Sequence, residues 1–350
     1  MRRLPVYFLL DISESMVGEP IRQVEEGLTT IVRELRSDPY ALETVWLSII
    51  GFAGKPMRIT PLMDLLSFYL PKLPIGGGTS LGRGLDFLMQ DIDSQVVKTT
   101  HDQKGDWKPI VFLFTDGVPT DDATRSIERW QQYYGKKASV VAVSFGESTN
   151  INLLYKLTED VFVFTETDKE SYKKFFRWVT ASIKASSASV NASNTEGAAL
   201  AHTDGSTVSK IDLTKAQNAP PVDDNYAVFI AKCQTSKQPY LIKFKKMMRP
   251  SQLQGMSYNT RVYQIEGSFP VDEKYFELTD NAPSDRHIST SELVGAARCP
   301  HCANNYGFAT CSCGSVMCSP GEGINTCPWC NKAGYFGAGE ADFDVKRGRG

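Results

Sequence analysis

No stretch of this chain approaches the roughly 20 consecutive apolar residues that a membrane-spanning helix needs, so the sequence offers no candidate span. A large excess of charge of either sign is missing too. The formal net charge of −2 gives no field that would gather nucleic acid or an acidic membrane surface, although the final "VKRGRG" is locally basic. Histidine is scarce: His101, His202, His287 and His301 are scattered, and neither a P-loop, a His-Glu-x-x-His pair nor a triad at recognisable spacing accompanies them. These absences argue against an enzyme. Arg2 and Arg3 ahead of "LPVYFLL" imitate a secretory leader, but the apolar run is short, Asp11 interrupts it and no small-residue cleavage site follows. The expectation is therefore a cytoplasmic protein. Cysteine is nearly absent from the first 298 residues, where only Cys233 occurs, which reads as a small buried residue.

What is present is ample material for cores: 350 residues, 41% of them apolar, suggest two or three. From 4 to 184, short apolar runs alternate with segments of helical period, the pattern of a mainly parallel sheet flanked by helices, Rossmann-like in class. The expected strands are "PVYFLL", "TVWLSII", "PIVFLF", "SVVAVSF" and "VFVF", with "GKPMRITPL" as an edge strand, since proline is tolerated there. Ile21, Val24, Leu28, Ile31, Val32 and Leu35 form one helix face, and Leu81, Leu85, Leu88 and Ile92 another. A last helix is expected to start at Asp168. Residues 185–222 are rich in Ser, Thr, Ala, Gly and Asn and read as a flexible linker whose hydroxyls could accept phosphate. Residues 223–350 return to strands, "YAVFIAKC", "PYLIKFKKM" and "RVYQIEG", as a β-rich domain, with "FKKMMR" read as a solvated strand edge.

Two places carry chemistry. In "FLLDISESM" an apolar run stops at Asp11, and Ser13 and Ser15 follow at alternate positions. "PIGGGTSLG" places Thr79 after three glycines and before a helix, and "FLFTDGVP" ends a second strand at Asp116. Ligands of open parallel sheets gather beyond the carboxyl ends of the strands, so these five residues can converge there. Two acids and three hydroxyls are the oxygen ligands that magnesium or another hard divalent cation requires, with a position left open for an incoming carboxylate.

The second place is the cysteine-rich end. "CPHC" at Cys299 and Cys302 and "CPWC" at Cys327 and Cys330 are separated by 24 residues, and two such knuckles predict one tetrahedral zinc in a ribbon over 298–332. A reducing compartment disfavours a disulfide framework. Cys311, Cys313 and Cys318 are left over and invite a second zinc, with His301 or His287 as fourth ligand. Structural sites close on four protein ligands, so zinc here is expected to fold the ribbon rather than to catalyse. Aromatic and basic residues are not interleaved across it as a nucleic-acid surface would require.

"DISESM", "GGGTS" and "FTDGVP" together resemble the metal-ion-dependent adhesion site of von Willebrand factor A domains. That resemblance implies that Ser13, Ser15 and Thr79 ligate the ion through their hydroxyls, with Asp11 and Asp116 binding directly or through water, and that a partner's Asp or Glu completes the shell. Glu14 departs from the glycine common in many members and adds a negative charge beside the site. The longer runs "DISESMVGEPIRQVEEGL", "DPYALETVWLSIIGFAGKP" and "KGDWKPIVFLFTDGVPTD" resemble the TerY family of bacterial tellurite-resistance clusters, and the likeness extends to the cysteine-rich end. The resemblance implies a binding protein of a stress response, working beside a protein kinase and a metal-dependent protein phosphatase and itself phosphorylated. An accessory subunit of an ATP-driven chelatase or remodelling machine, or a nucleic-acid-binding ribbon, are the alternatives.

Overall fold

The computed structural model describes residues 2–145, 151–164, 169–193, 200–201, 208–210, 225–253, 256–280, 287–337 and 342–346. Contacts divide the chain into two units, the first of Met1–Ile12, Glu19–Leu73 and Thr79–Pro221, the second of Ser13–Gly18, Pro74–Gly78 and Val222–Gly350.

The first unit is built from β1 (Leu4–Asp11), α1 (Glu19–Arg36), α2 (Pro39–Thr44), β2 (Val45–Phe52), β3 (Pro56–Asp64), α3 (Leu81–Gln95), β4 (Ile110–Thr115), α4 (Thr124–Tyr133), β5 (Ser139–Phe145), α5 (Ile151–Leu157), β6 (Val161–Phe164), α6 (Lys169–Ser193) and β7 (Val208–Lys210). Its sheet runs in the order β3-β2-β1-β4-β5-β6-β7. β1, β2, β4, β5 and β6 are parallel, whereas β3 and β7 pair antiparallel at the two edges. All eight residues of β1 are buried, as a strand covered on both faces must be. Tyr7 and Leu9 point into a core with Leu81, Leu85, Leu88 and Ile92 of α3 and Trp130 of α4. Phe8 points the other way and stacks on Phe112, while Phe114 meets Phe175 and Phe176 of α6 edge-on. Chain order reverses direction across β1 and β4, neighbours in the sheet, so a crevice opens at their carboxyl ends.

The expected strands and helix faces form, and the proline-bearing run is the antiparallel edge strand β3. The segment read as a linker departs from expectation at two points. α6 continues to Ser193, with Ser186 and Ser187 buried, because serine's small side chain allows close packing: Ser187 Oγ lies 2.8 Å from Thr44 Oγ1, and Ser186 Oγ donates to the Ser182 carbonyl at 2.9 Å. Val208–Lys210 also adds the edge strand β7. Asp168, the expected cap of α6, lies outside the described residues, as does most of the segment from 194 to 224.

The second unit contains a 3₁₀ turn at Glu14–Met16, β8 (Tyr226–Lys232), β9 (Pro239–Leu253), β10 (Met256–Pro270), α7 (Lys274–Leu278), β11 (His287–Ser289), β12 (Leu293–Val294), β13 (Tyr306–Thr310), β14 (Val316–Ser319), β15 (Gly323–Thr326), β16 (Ala333–Phe336) and β17 (Asp344–Lys346). Six strands form a sheet ordered β12-β10-β9-β8-β14-β13. The cysteine-bearing strand β14 lies parallel to β8, Val316 opposite Ala231. Cys299, Cys318 and Cys233 therefore share one core with Phe229, Ile242 and Phe244. Among the described residues no helix is long and apolar enough to cross a membrane.

Candidate metal centres

The eight cysteines sort into two groups of four whose sulfurs lie within 4.8 Å of one another: Cys233, Cys299, Cys302 and Cys318 in one, Cys311, Cys313, Cys327 and Cys330 in the other. None forms a disulfide. The two Cys-x-x-Cys knuckles expected to share a zinc thus belong to different groups, and the ligand set Cys299, Cys302, Cys327 and Cys330 is not the one the fold assembles. Cys311, Cys313 and Cys318 do not form the expected second set with histidine. Cys318 completes the first group, and Cys311 and Cys313 complete the second. The His301 ring Nε2 lies 2.9 Å from the Pro239 carbonyl, and neither His301 nor His287 joins a group.

Local turn geometry explains the sorting. At Cys299 and Cys327 the cysteine N–H donates to the carbonyl five residues on (Asn304, Lys332), and the N–H four residues on (Ala303, Asn331) donates back to the cysteine carbonyl, at 2.9–3.0 Å. Ala303 and Asn331 both take φ 58° to close the turn. Cys233 makes the same turn: its N–H donates to the Gln238 carbonyl, Lys237 N–H donates to its carbonyl, and Lys237 has φ 61°. Cys233-Gln-Thr-Ser236 is thus a knuckle in which serine stands where a second cysteine would, and Ser236 N–H points at the Cys233 sulfur at 3.4 Å. Cys311 opens a tighter version closed by Gly314. Each group combines two of these four turns, with Cys318 of β14 filling the place left by Ser236. Sequence reading left Cys233 out because its knuckle carries one thiol, although a total of eight cysteines, divisible into two fours, was a usable signal.

The spacing suits zinc. A tetrahedron with Zn–S near 2.3 Å has edges of about 3.8 Å, and the Cys302–Cys318, Cys311–Cys330 and Cys313–Cys327 sulfurs lie 3.7, 3.8 and 3.9 Å apart. In each group one thiol loses its proton readily. Burial opposes it at Cys233, but hydrogen bonds from Ser236 and Thr235 bring that thiol down to about 6. The Ser315 hydroxyl leads the causes that bring Cys313 to about 6. Burial raises Cys299 and Cys318 in the first group and Cys327 in the second, so metal capture releases protons from these.

The oxygen-rich residues stand where the strand ends predict. Asp11 ends β1 fully buried, and its Oδ2 accepts from Thr115 Oγ1 at 2.7 Å, one residue before Asp116. Thr79 precedes α3 and is locked to the loop after β4: its N–H donates to Thr120 Oγ1 at 2.9 Å, and Thr120 N–H donates to its carbonyl at 2.8 Å. The Asp121 carboxylate caps the start of α3, accepting from Gly82 and Arg83 N–H. Asp11, Thr79 and Asp116 are thereby held to one edge of the sheet. Ser13 and Ser15, two and four residues beyond Asp11, are buried with their hydroxyl oxygens 3.0 Å apart. Thr115, Thr120 and Asp121 were not singled out from the sequence, because they act on Asp11, Thr79 and the start of α3 through hydrogen bonds between segments distant in the chain. Carboxylate and hydroxyl oxygens are the donors that a hard divalent cation takes.

Residues 6–178 match the von Willebrand factor type A domain and residues 223–350 the TerY-C metal binding domain. Inter-alpha-trypsin inhibitor heavy chain H1 of Bos taurus is 23% identical over 158 residues, 43% of this chain but only 17% of that relative's length. Proximal thread matrix protein 1 from the mussel byssus, solved with a zinc-occupied MIDAS motif, is 19% identical over 53% of this chain and 46% of its own, with a TM-score of 0.39. The ArnB paralog VWA2 from Sulfolobus acidocaldarius is 11% identical, covering 100% of this chain and 67% of its own, with a TM-score of 0.38. At scores below 0.5 these structural likenesses bear no weight on function. The chain carries the architecture of the TerY family, a von Willebrand factor type A domain followed by a TerY-C metal binding domain.

Proposed function

We propose that this chain is a non-catalytic, metal-dependent scaffold that captures an acidic side chain of a protein partner at Asp11, Ser13, Ser15, Thr79 and Asp116. The observation that carries the reading is the donor set itself. Two aspartates at neighbouring strand ends and a pair of buried serine hydroxyls 3.0 Å apart are hard oxygen ligands with few charges among them. Magnesium held by so few carboxylates keeps positive charge to share with a partner's Asp or Glu. Asp11 and Asp116 would hold the ion directly or through water, and Ser13, Ser15 and Thr79 would face it with neutral oxygens.

In the second unit the eight thiolates would hold two zinc ions as structural staples. Elemental analysis of the purified full-length chain is expected to give two zinc per chain. One zinc, or none in protein kept reduced throughout, would refute the pairing of the four turns.

The TerY likeness supports partners of a particular kind, a protein kinase and a metal-dependent protein phosphatase in a cytoplasmic stress response such as tellurite resistance. On that reading the hydroxyl-rich segment is the phosphorylated one. Ser186 and Ser187 are buried in α6, so phosphate is expected beyond Ser193, where the composition is too polar to build a core. Phosphopeptide mapping after incubation with a protein kinase that copurifies with this chain checks this, and modification confined to residues 1–185 or 225–337 would contradict it. Isolating the chain from native cells with and without magnesium tests the scaffold reading as a whole. A partner retained equally well under both conditions would count against it.

A further inference from the structure

The turn that carries the serine hydroxyls is gripped by groups that its own sequence does not supply. Ser13–Gly18 belongs to the second unit. Within that unit Lys243 of β9 is 1% exposed, and its ammonium donates to the Ser15 carbonyl at 2.6 Å and the Val17 carbonyl at 3.3 Å. Lysine is almost never buried to this degree without partners. Here the Glu266 carboxylate lies 3.4 Å away and the Tyr226 ring face 4.2 Å away. Tyr275 of α7, also buried, donates its hydroxyl to the Glu14 carboxylate. Burial and the nearby Glu14 charge raise Tyr275 well above the ordinary phenol, so it remains a donor. The exit of the turn is fixed as well. Gly18 has φ 93°, and a Cβ there would lie 2.8 Å from the ring of Phe269. Side chain 14, carbonyls 15 and 17 and residue 18 are thus each held from outside the turn, and the Ser13 and Ser15 hydroxyls lie among these anchors.

We propose that Lys243 and Tyr275 are positioning residues for the hydroxyl pair, holding Ser13 and Ser15 in their ligating arrangement before any ion arrives. This rests on the magnesium reading of the site. Glu14, the residue that departs from the family's usual glycine, is then the handle that Tyr275 grips. A site fixed in advance serves magnesium most, because magnesium demands near-ideal octahedral geometry while calcium tolerates a flexible one. The opposite expectation for a buried lysine, that its charge repels the ion, is weakened by Glu266, which neutralises the ammonium at close range.

Calorimetric titration of the zinc-loaded full-length chain with magnesium and, separately, with calcium tests this. Lys243→Met is expected to weaken magnesium about tenfold, the scale seen when an outer partner of a ligand is lost, with calcium changed less than about threefold. Tyr275→Phe, which deletes one hydroxyl and keeps the packed ring, is expected to shift the magnesium-to-calcium ratio in the same direction by a smaller factor. A merely structural role would lower both affinities together and leave the ratio alone. Zinc content and far-ultraviolet circular dichroism report whether each variant is folded. An unchanged ratio in both variants, or tighter magnesium binding in Lys243→Met, overturns the inference alone. Absence of magnesium binding to the wild-type chain overturns the reading of the site, and this inference with it.

Discussion

Replacing Cys233 by Ser is expected to remove one zinc and to unfold the second unit, whereas Cys313→Ser removes the other zinc and leaves that unit folded. The asymmetry follows from where each group sits. Cys233 directly follows β8 and Cys318 lies in β14, adjacent parallel strands of the six-stranded sheet, and Cys299 is buried in the same core. An ion there would tie the sheet to the knuckle that leads into β13. Structural zinc contributes about 10–16 kcal/mol in small zinc-finger peptides, as much as or more than the ~5–15 kcal/mol net stability of a whole domain. Losing that ion exceeds what the remaining core can absorb. The second group belongs to a small cluster with Met317, Ala309, Trp329 and Phe336, and Cys313 is exposed. Its loss should free the β15–β16 hairpin and little else. Native mass spectrometry counts the zinc, and amide hydrogen exchange shows which strands lose protection. Protection in β8 and β9 that survives Cys233→Ser, or that collapses equally in both variants, would refute the assignment. The first unit has its own core around Leu9, Leu85 and Trp130 and should keep its protection in both.

Asp11→Ala and Asp116→Ala should each abolish magnesium-dependent partner binding while leaving the first unit as stable as before or more so. Before an ion binds, carboxylates at neighbouring strand ends repel, and Asp11 is fully buried, so removing either charge relieves that repulsion. The loss should exceed the roughly 10–100-fold that accompanies deletion of an outer-shell partner. Thr115→Val supplies that smaller effect for comparison, because it removes only the hydroxyl that donates to Asp11 Oδ2. Calorimetry with the copurified partner, in magnesium and then in a chelator, measures all three variants. Equal affinity in both conditions, or in Asp11→Ala, would show that the partner is recognised elsewhere.

The sequence by itself determined the strands of the first unit, because runs such as Phe8–Leu10 and Val111–Phe114 are apolar throughout and have no stable place except between two helical layers. It also located Asp11 and Asp116 at neighbouring strand ends, since both are marked by the abrupt end of those runs. Short-range patterns carry this information, and they survive in one dimension. The grouping of the cysteines did not. Knuckle spacing is local, but which knuckle faces which depends on β8 pairing with β14, a contact between residues more than 80 apart, and that pairing brings Cys233 to Cys318. Composition misjudged the start of the linker for a related reason: a run of serines is polar as a list, yet Ser186 and Ser187 satisfy their hydroxyls within α6 and against Thr44. The grip of Lys243 and Tyr275 on the serine turn was invisible as well. Nothing in "PYLIKFKKM" marks Lys243 as buried, and only tertiary structure supplies the two carbonyls and the carboxylate that make its burial tolerable.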